Sequence, residues 1–300
     1  MVSGVGIGLR PKLWAELERA QHLPDWLELI PENYVAHSGW RRAQMLAARE
    51  RWPLVAHGVS VSVGGPDPLD LPYLIQLKSL LDELGAEFYS DHLCWTRYGN
   101  HHYHDLLPLP FSEEAVRWTA ARARRVSELL ERPLLLENIT YYAVMPGGFL
   151  TEGQFISAVL EESGAFLLLD LNNAYQNAIN HGQLPDDVLA ALPLERTRQI
   201  HLAGHELDET GVLLDRHATP VTDAVWSLYG AVTKQLGPIP TLIEWDNDIP
   251  PLARVLQEAD RARLIQQECR QRGGHATAKI GRLHPAGGRD FFDPPARSLP

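Results

Sequence analysis

Leu134-Leu135-Leu136-Glu137-Asn138 carries three leucines into a core and then, with no basic residue beside it, a carboxylate. Leu167-Leu168-Leu169-Asp170-Leu171-Asn172-Asn173 repeats the design one unit later. Working outward, histidines and carboxylates recur wherever an apolar, strand-like run stops: His57, His92, Glu137, Asp170, His201 and Glu244, spaced 35, 45, 33, 31 and 43 positions apart. Each interval fits one strand plus one helix, so successive units each deliver one metal-type ligand to the same end of a parallel sheet. In a (β/α)8 barrel, the TIM-barrel form of the α/β class, the C-terminal strand ends make the active-site face. The pattern therefore reads as a metal site at the mouth of a barrel.

Eight strands are expected: Val5–Leu9, Trp26–Pro31, Leu54–Val59, Glu87–Leu93, Leu134–Ile139, Phe166–Leu171, Arg198–Ala203 and Thr241–Trp245. Helical periodicity runs between them over Leu71–Leu84, Glu113–Leu130, Thr151–Glu162 and Val221–Gln235, with Pro251–Gln271 closing the last unit. This alternation is that of repeated βα units. Residues 1–272 are expected to form the barrel domain. Residues 273–300, rich in Gly, Pro and Arg, are expected to be a flexible tail.

A chain of 300 residues with 45% hydrophobic content can fill one large core, and its net charge of −11 offers no basic stripe for nucleic acid. Two cysteines, Cys94 and Cys269, are too few for a disulfide framework and point to a reducing, cytoplasmic setting. No signal pattern opens the sequence, and no apolar run approaches the roughly 20 residues a membrane span needs.

Taken singly, each segment is ambiguous. A lone histidine such as His57 at a strand end more often serves as a structural hydrogen-bonder. Asp91 and His92 fall inside an otherwise apolar strand, where neither is tolerated without a partner. Buried acids ordinarily pair with Arg or Lys, yet the strand ends offer mainly Arg10 and Arg216. Acids converging without cations repel and stay protonated unless a metal neutralises them. Asp215-Arg216-His217 adds an Asp-x-His pair, a weak signal alone, and Asn173 could offer a neutral oxygen beside Asp170. No thiolate joins the set, and imidazole mixed with carboxylate suits iron, manganese or zinc. Together these side chains leave room for two or three ions, and His57, His92 and Glu137 match the two-histidine, one-carboxylate composition of non-haem iron sites.

The series Gly4–Arg10, Glu28–Tyr34, His57–Ser60, Ser90–Leu93, Asp105–Pro110, Glu137–Tyr142, Asp170–Asn173 and Ile243–Asp246 resembles the multinuclear non-haem iron-dependent oxidative enzymes, the family that includes the catalytic subunit of methanobactin synthase. The likeness runs in order from about residue 4 to 270. It implies two or three Fe(II)/Fe(III) ions, dioxygen as co-substrate, and oxidation of a ribosomally made precursor peptide, chiefly at cysteine. By the same resemblance, His57, His92 and Glu137 hold one iron, and Glu137 bridges to a second held by Asp170, His201 and Glu244. Asn173, Asp215 and His217 hold the third, while Asp91, Asn138, His205 and Asp246 orient ligands. A separate leader-recognition protein is the expected partner, since the barrel consumes most of the chain. Two rivals remain open on the residues alone: a zinc or manganese hydrolase or isomerase, and a non-catalytic metal- or peptide-binding protein.

Overall fold

Strands buried on both faces favour near-continuous apolar runs and parallel pairing. Eight such strands close a barrel: β1 (Val5–Gly8), β2 (Leu27–Leu29), β3 (Leu54–Gly58), β4 (Tyr89–His92), β5 (Leu134–Glu137), β6 (Phe166–Asp170), β7 (Thr197–Leu202) and β8 (Thr241–Ile243), with β8 pairing back onto β1. The chain is thus a TIM barrel. The computed structural model describes residues 2–35, 39–99 and 101–271, so the tail expected at 273–300 lies outside the described residues. Among the described residues, no helix is long and apolar enough to cross a membrane.

The helices around it are α1 (Trp40–Arg49), α2 (Leu71–Leu84), α3 (Glu113–Leu130), α4 (Glu152–Ser163), α5 (Leu171–Asn180), α6 (Pro185–Ala191), α7 (Asp223–Leu236) and α8 (Leu252–Gln271). Their starts are written locally. Ser112 Oγ accepts from Ala115 N at 3.2 Å to cap α3, and Thr151 with Gln154 makes a reciprocal capping box on α4. At the barrel floor Trp26 packs with Val55 and Leu242, and a Cβ at Gly6 would fall 2.3 Å from the Trp26 ring, so glycine makes room for the plug.

Register sets the mouth. His57 pairs with Ser90, His92 with Glu137, and Asp170 with His201, which places the ligands of neighbouring strands at one height.

Three features differ from the sequence expectation. Helices α1, α5 and α6 were not foreseen, and Leu171 opens α5 rather than ending β6. Helix α5 is rich in asparagine, a poor helix former. It forms because Asp170 Oδ1 accepts from Asn173 N at 2.6 Å and because Asn172, Asn173, Gln176 and Asn177 are all buried by its neighbours. Two hairpins stand over the mouth, Trp95–Tyr98 with His101–Leu107 and Glu206–Leu207 with Leu213–Leu214. His104 is one of the residues of these hairpins. It lies in the first hairpin, whose residues His101–Asp105 are exposed and so lack the one-sided apolar pattern that marks a strand.

Candidate metal centre

Three neighbouring strands deliver the first cluster. His57 ends the apolar run of β3, His92 ends β4 and Glu137 ends β5, all three buried. The hydrogen bonds behind the rings fix their tautomers. His92 Nδ1–H donates to Gly58 O at 3.0 Å. Ser90 Oγ directs its own proton to Ala56 O at 3.3 Å, so it accepts from His57 Nδ1–H at 3.0 Å. Both Nε2 atoms therefore face the mouth as lone pairs, 3.3 Å apart. Glu137 Oε2 lies 2.9 Å from His57 Nε2 and 3.5 Å from His92 Nε2.

Three acceptors converging on one point need a proton or a cation between them. Without a metal, burial works against a charged His57, but the Glu137 carboxylate overcomes it and raises the imidazole to about 9. Burial would push Glu137 up, and the surrounding imidazoles His92, His57 and His201 outweigh it, holding this carboxylate below its usual range.

Glu137 is shared. Its donor atoms join a second group with Asp170, His201 and Glu244, all four with ligand atoms within 4.8 Å of one another. His201 Nδ1 stands 3.1 Å from Glu244 Oε2 and 3.8 Å from Glu137 Oε1. Its other nitrogen, Nε2, is 3.3 Å from Glu28 Oε2, and Gln199 Nε2 donates to the same Glu28 oxygen at 2.6 Å. Asp170 Oδ2 is buried with no hydrogen-bond partner among the described residues. Burial and the nearby Glu137 charge push its carboxyl well above the usual range, so without a cation it keeps its proton. Asn138 pins it in place: Asn138 Nδ2 donates to Asp170 O and Asp170 N donates to Asn138 Oδ1, both at 2.9 Å.

The third group comes from a loop. His217, in the left-handed region at φ 47°, has Nε2 2.7 Å from Asp215 Oδ1 and Nδ1 3.2 Å from Asp246 Oδ2. Its Nδ1 is also 3.5 Å from Glu244 Oε2, and donor atoms of His217, Glu244 and Asp246 gather within 4.8 Å. Arg10 donates through both Nε and Nη2 to Asp246 Oδ1, which keeps that carboxylate ionised against its burial.

Of the remaining expected residues, Asn173 lines the mouth cavity of about 470 Å3, but its Oδ1 accepts from Thr140 Oγ1 at 2.8 Å. His205 Nδ1 meets Asn172 Oδ1 at 2.8 Å, and burial lowers its pKa. Asp91 Oδ1 accepts from His92 N at 2.8 Å, behind the ligand rather than in the cavity. Glu28, Ser90 and Thr140 were not singled out from the sequence. For Glu28 a signal existed, a lone acid inside the apolar run Trp26–Ile30.

The donor set fits a multinuclear metal site. It offers bare imidazole nitrogens, carboxylates able to bridge, and orphaned buried oxygens on Glu137 and Asp170.

Residues 4–267 match a family model described as RiPP precursor modification enzyme MbnB/TglH/ChrH. A UPF0276 protein of Acaryochloris marina is 42% identical over 87% of this chain and 94% of its own length. One from Caulobacter vibrioides is 44% identical over 87% of this chain and 93% of its own. Among solved structures, a D-tagatose 3-epimerase-like protein aligns with a TM-score of 0.59 at 13% identity, covering 90% of this chain and 99% of its own. D-psicose 3-epimerase from Clostridium cellulolyticum H10 aligns at 0.58 and 12% identity, covering 89% of this chain and 98% of its own. At such identities the likeness is one of fold alone.

Proposed function

The chain belongs to the RiPP precursor modification enzyme family MbnB/TglH/ChrH, and we propose that it oxidises side chains of a ribosomally made precursor peptide, chiefly cysteine, using iron and dioxygen. The observation that carries this reading is the pair of bare Nε2 atoms 3.3 Å apart, beside a carboxylate that also serves a second cluster. Two histidines and one carboxylate are the ligand composition of dioxygen-activating non-haem iron. Iron bound there would supply the one-electron oxidations and the binding of dioxygen.

In this reading His57, His92 and Glu137 would hold one ion, and Glu137 would also serve a second, with Asp170, His201 and Glu244. For the third, Asp246 is already neutralised by Arg10, so its free oxygen is best used to accept His217 Nδ1–H. That leaves His217 Nε2 as a lone pair beside Asp215, with Asn173 nearby on the cavity wall. Ser90, Gly58, Glu28 and Asp246 orient imidazoles from behind. Asn138 fixes the ends of β5 and β6 together, and His205 steadies Asn172, which in turn donates to Asp215 Oδ1 at 3.2 Å. The cavity is wide enough for a peptide side chain, and His104, Asp105 and Arg216 at its rim provide polar contacts for the backbone.

The family implies a peptide substrate, and we further propose that leader recognition belongs to a separate protein; co-purification with such a partner, and its requirement for turnover, tests this. The main test is metal content per chain after anaerobic purification, combined with dioxygen uptake on cognate peptide. Two or three irons and peptide-dependent uptake are expected. Zinc or manganese alone, with no uptake, would overturn the proposal in favour of a hydrolase or isomerase.

A further inference from the structure

The barrel floor holds a second pocket, at the opposite end of the strands from the metal mouth. It measures about 270 Å3, below the roughly 300 Å3 at which pockets for drug-sized ligands begin, so it suits a side chain or two. Its walls are strand starts: Val2 before β1, Phe88 before β4, Pro133 and Leu135 at β5, Phe166 opening β6 and Pro240 before β8. One cation stands among them. Arg198 of β7 lays its guanidinium over the Phe166 ring, 4.5 Å from the centroid, and donates through Nη1 to Glu195 O and Thr197 O. Its Nε is buried with no hydrogen-bond partner among the described residues. Glu87 lies on the same wall, yet no acid offsets burial and the neighbouring Arg196, which lower the Arg198 pKa. An apolar hole with one unanswered donor calls for an apolar group that carries a carboxylate.

The chain supplies such a group close by. Helix α8 returns to this floor: Gln266 Nε2 donates to Ile239 O at 2.9 Å, next to Pro240. Gln266, Gln267 and Arg270 also share with Val2 the wall of a neighbouring hollow. The chain therefore leaves α8 at Gln271 beside the pocket. Beyond that point the sequence carries Gly273, Gly274, Gly281, Gly287 and Gly288, and then reads Asp290-Phe291-Phe292-Asp293-Pro294. A glycine-rich linker of about twenty residues averages roughly 25 Å end to end, enough to reach from the helix end to the pocket. In extended backbone, residues two apart share a face, so Phe291 goes with Asp293 and Phe292 with Asp290. Whichever face turns inward, one ring and one carboxylate arrive together. A following proline favours extended backbone at Asp293.

We propose that residues 290–293 of the chain's own tail dock in the floor pocket, one phenyl ring among Phe88, Leu135 and Phe166 and the carboxylate of the same face against Arg198 Nε. Tethering makes a weak contact sufficient. A linker of this kind holds the segment at an effective concentration in the millimolar range, so one ring and one ion pair keep it seated most of the time. The pocket is small enough to be filled by that ring, and its single free cation selects an acidic flank over a neutral one. Docking at the floor leaves the mouth open, and it rests on no part of the oxidative reading given above.

The test uses the full chain with a photo-reactive side chain, Phe291→benzoylphenylalanine or, separately, Phe292→benzoylphenylalanine. Isotopically heavy and light chains are mixed before illumination, and crosslinks are mapped by mass spectrometry. At least one of the two positions should crosslink within its own chain to the floor, at Phe88, Leu135 or Pro240. Arg198→Gln should reduce that yield several-fold. Asp290→Asn combined with Asp293→Asn should do the same without touching the barrel, so the charge contact is judged even if Arg198→Gln fails to fold. Hydroxyl-radical footprinting provides a second readout on unmodified backbone. Labelling of Phe88 and Phe166 should rise several-fold when Phe291→Ser and Phe292→Ser are combined. Crosslinks that join heavy to light chains would give the pocket to a second copy and overturn the proposal. Crosslinks scattered over the surface, or equal labelling of Phe88 and Phe166 with and without the two rings, overturn it as well.

Discussion

The first and third candidate ligand clusters both combine imidazole with carboxylate but are held in different ways. His57, His92 and Glu137 end three adjacent strands, and the ring orientations come from the barrel itself, through Gly58 O and Ser90 Oγ. His217 sits on a loop with a left-handed backbone, and its ring is held between Asp215 and an Asp246 that Arg10 pins from the end of the neighbouring strand. One cluster is positioned by strand register, the other by a chain of charges. The expectation is that the first binds metal tightly in almost any variant that folds, while the third empties first when a distant charge is removed.

The largest effect should come from the residue both halves of the inner site share. Glu137→Gln keeps the shape but replaces a bridging carboxylate by a neutral amide. Peptide oxidation should fall by more than the roughly 10–100-fold typical of losing an outer-shell partner, with iron per chain at less than half. Full iron loading together with full activity in this variant would break the assignment of Glu137 as the bridge.

Arg10→Met asks whether the third cluster depends on charge rather than register. It removes both hydrogen bonds to Asp246 Oδ1 and leaves the strand-end ligands untouched. One ion should bind about 10–100-fold more weakly, while the remaining ions and their spectra persist. Equal loss of every ion would show that the two clusters are a single unit and that the contrast drawn here is wrong. Ser90→Ala is the counterpart for the first cluster. It deprives His57 Nδ1 of its acceptor, yet the strand still aims the ring, so affinity should fall by about tenfold at most. A greater loss in Ser90→Ala than in Arg10→Met, measured by competitive metal titration, would invert the order.

The same contrast explains how much was legible in sequence. A strand-end ligand announces itself locally, because three leucines followed by an acid has few other readings, and the eight strands themselves are legible as short apolar runs alternating with helical periodicity. The loop cluster announces only Asp-x-His. Which nitrogen of His217 meets which carboxylate is settled by Arg10, 236 positions from Asp246, and no local pattern carries that. Glu28 was visible as an acid in an apolar strand, but its partner His201 is set by barrel closure, 173 positions away. Helix α5 hid for a related reason: its asparagines are poor helix formers whose cost is offset only by tertiary partners such as Asp215 and Ile139.

A partly buried acid outside both clusters provides the smallest and last test. Glu152, on α4, has only neutral hydrogen-bond partners among the described residues: Asn177 Nδ2 donates to it at 3.0 Å and Tyr141 Oη at 3.4 Å. Burial prevails over those hydrogen bonds and raises its carboxyl from 4.5 to about 7. Folding therefore favours the protonated form. Stability from this group is full below pH 4.5 and is lost as pH rises through about 7. The neutral, similarly shaped Glu152→Gln should remove that loss, raising the melting temperature near pH 8 by roughly 2 °C, the equivalent of about 1 kcal/mol after allowing for partial exposure. No candidate ligand cluster among the described residues includes Glu152, so chelating the metal should leave this difference between natural chain and variant unchanged, even as the overall melting temperature drops. A difference that vanished on chelation would tie Glu152 to the metal mouth, and the separation between charges answered by cations and charges answered only by neutral donors would have to be redrawn.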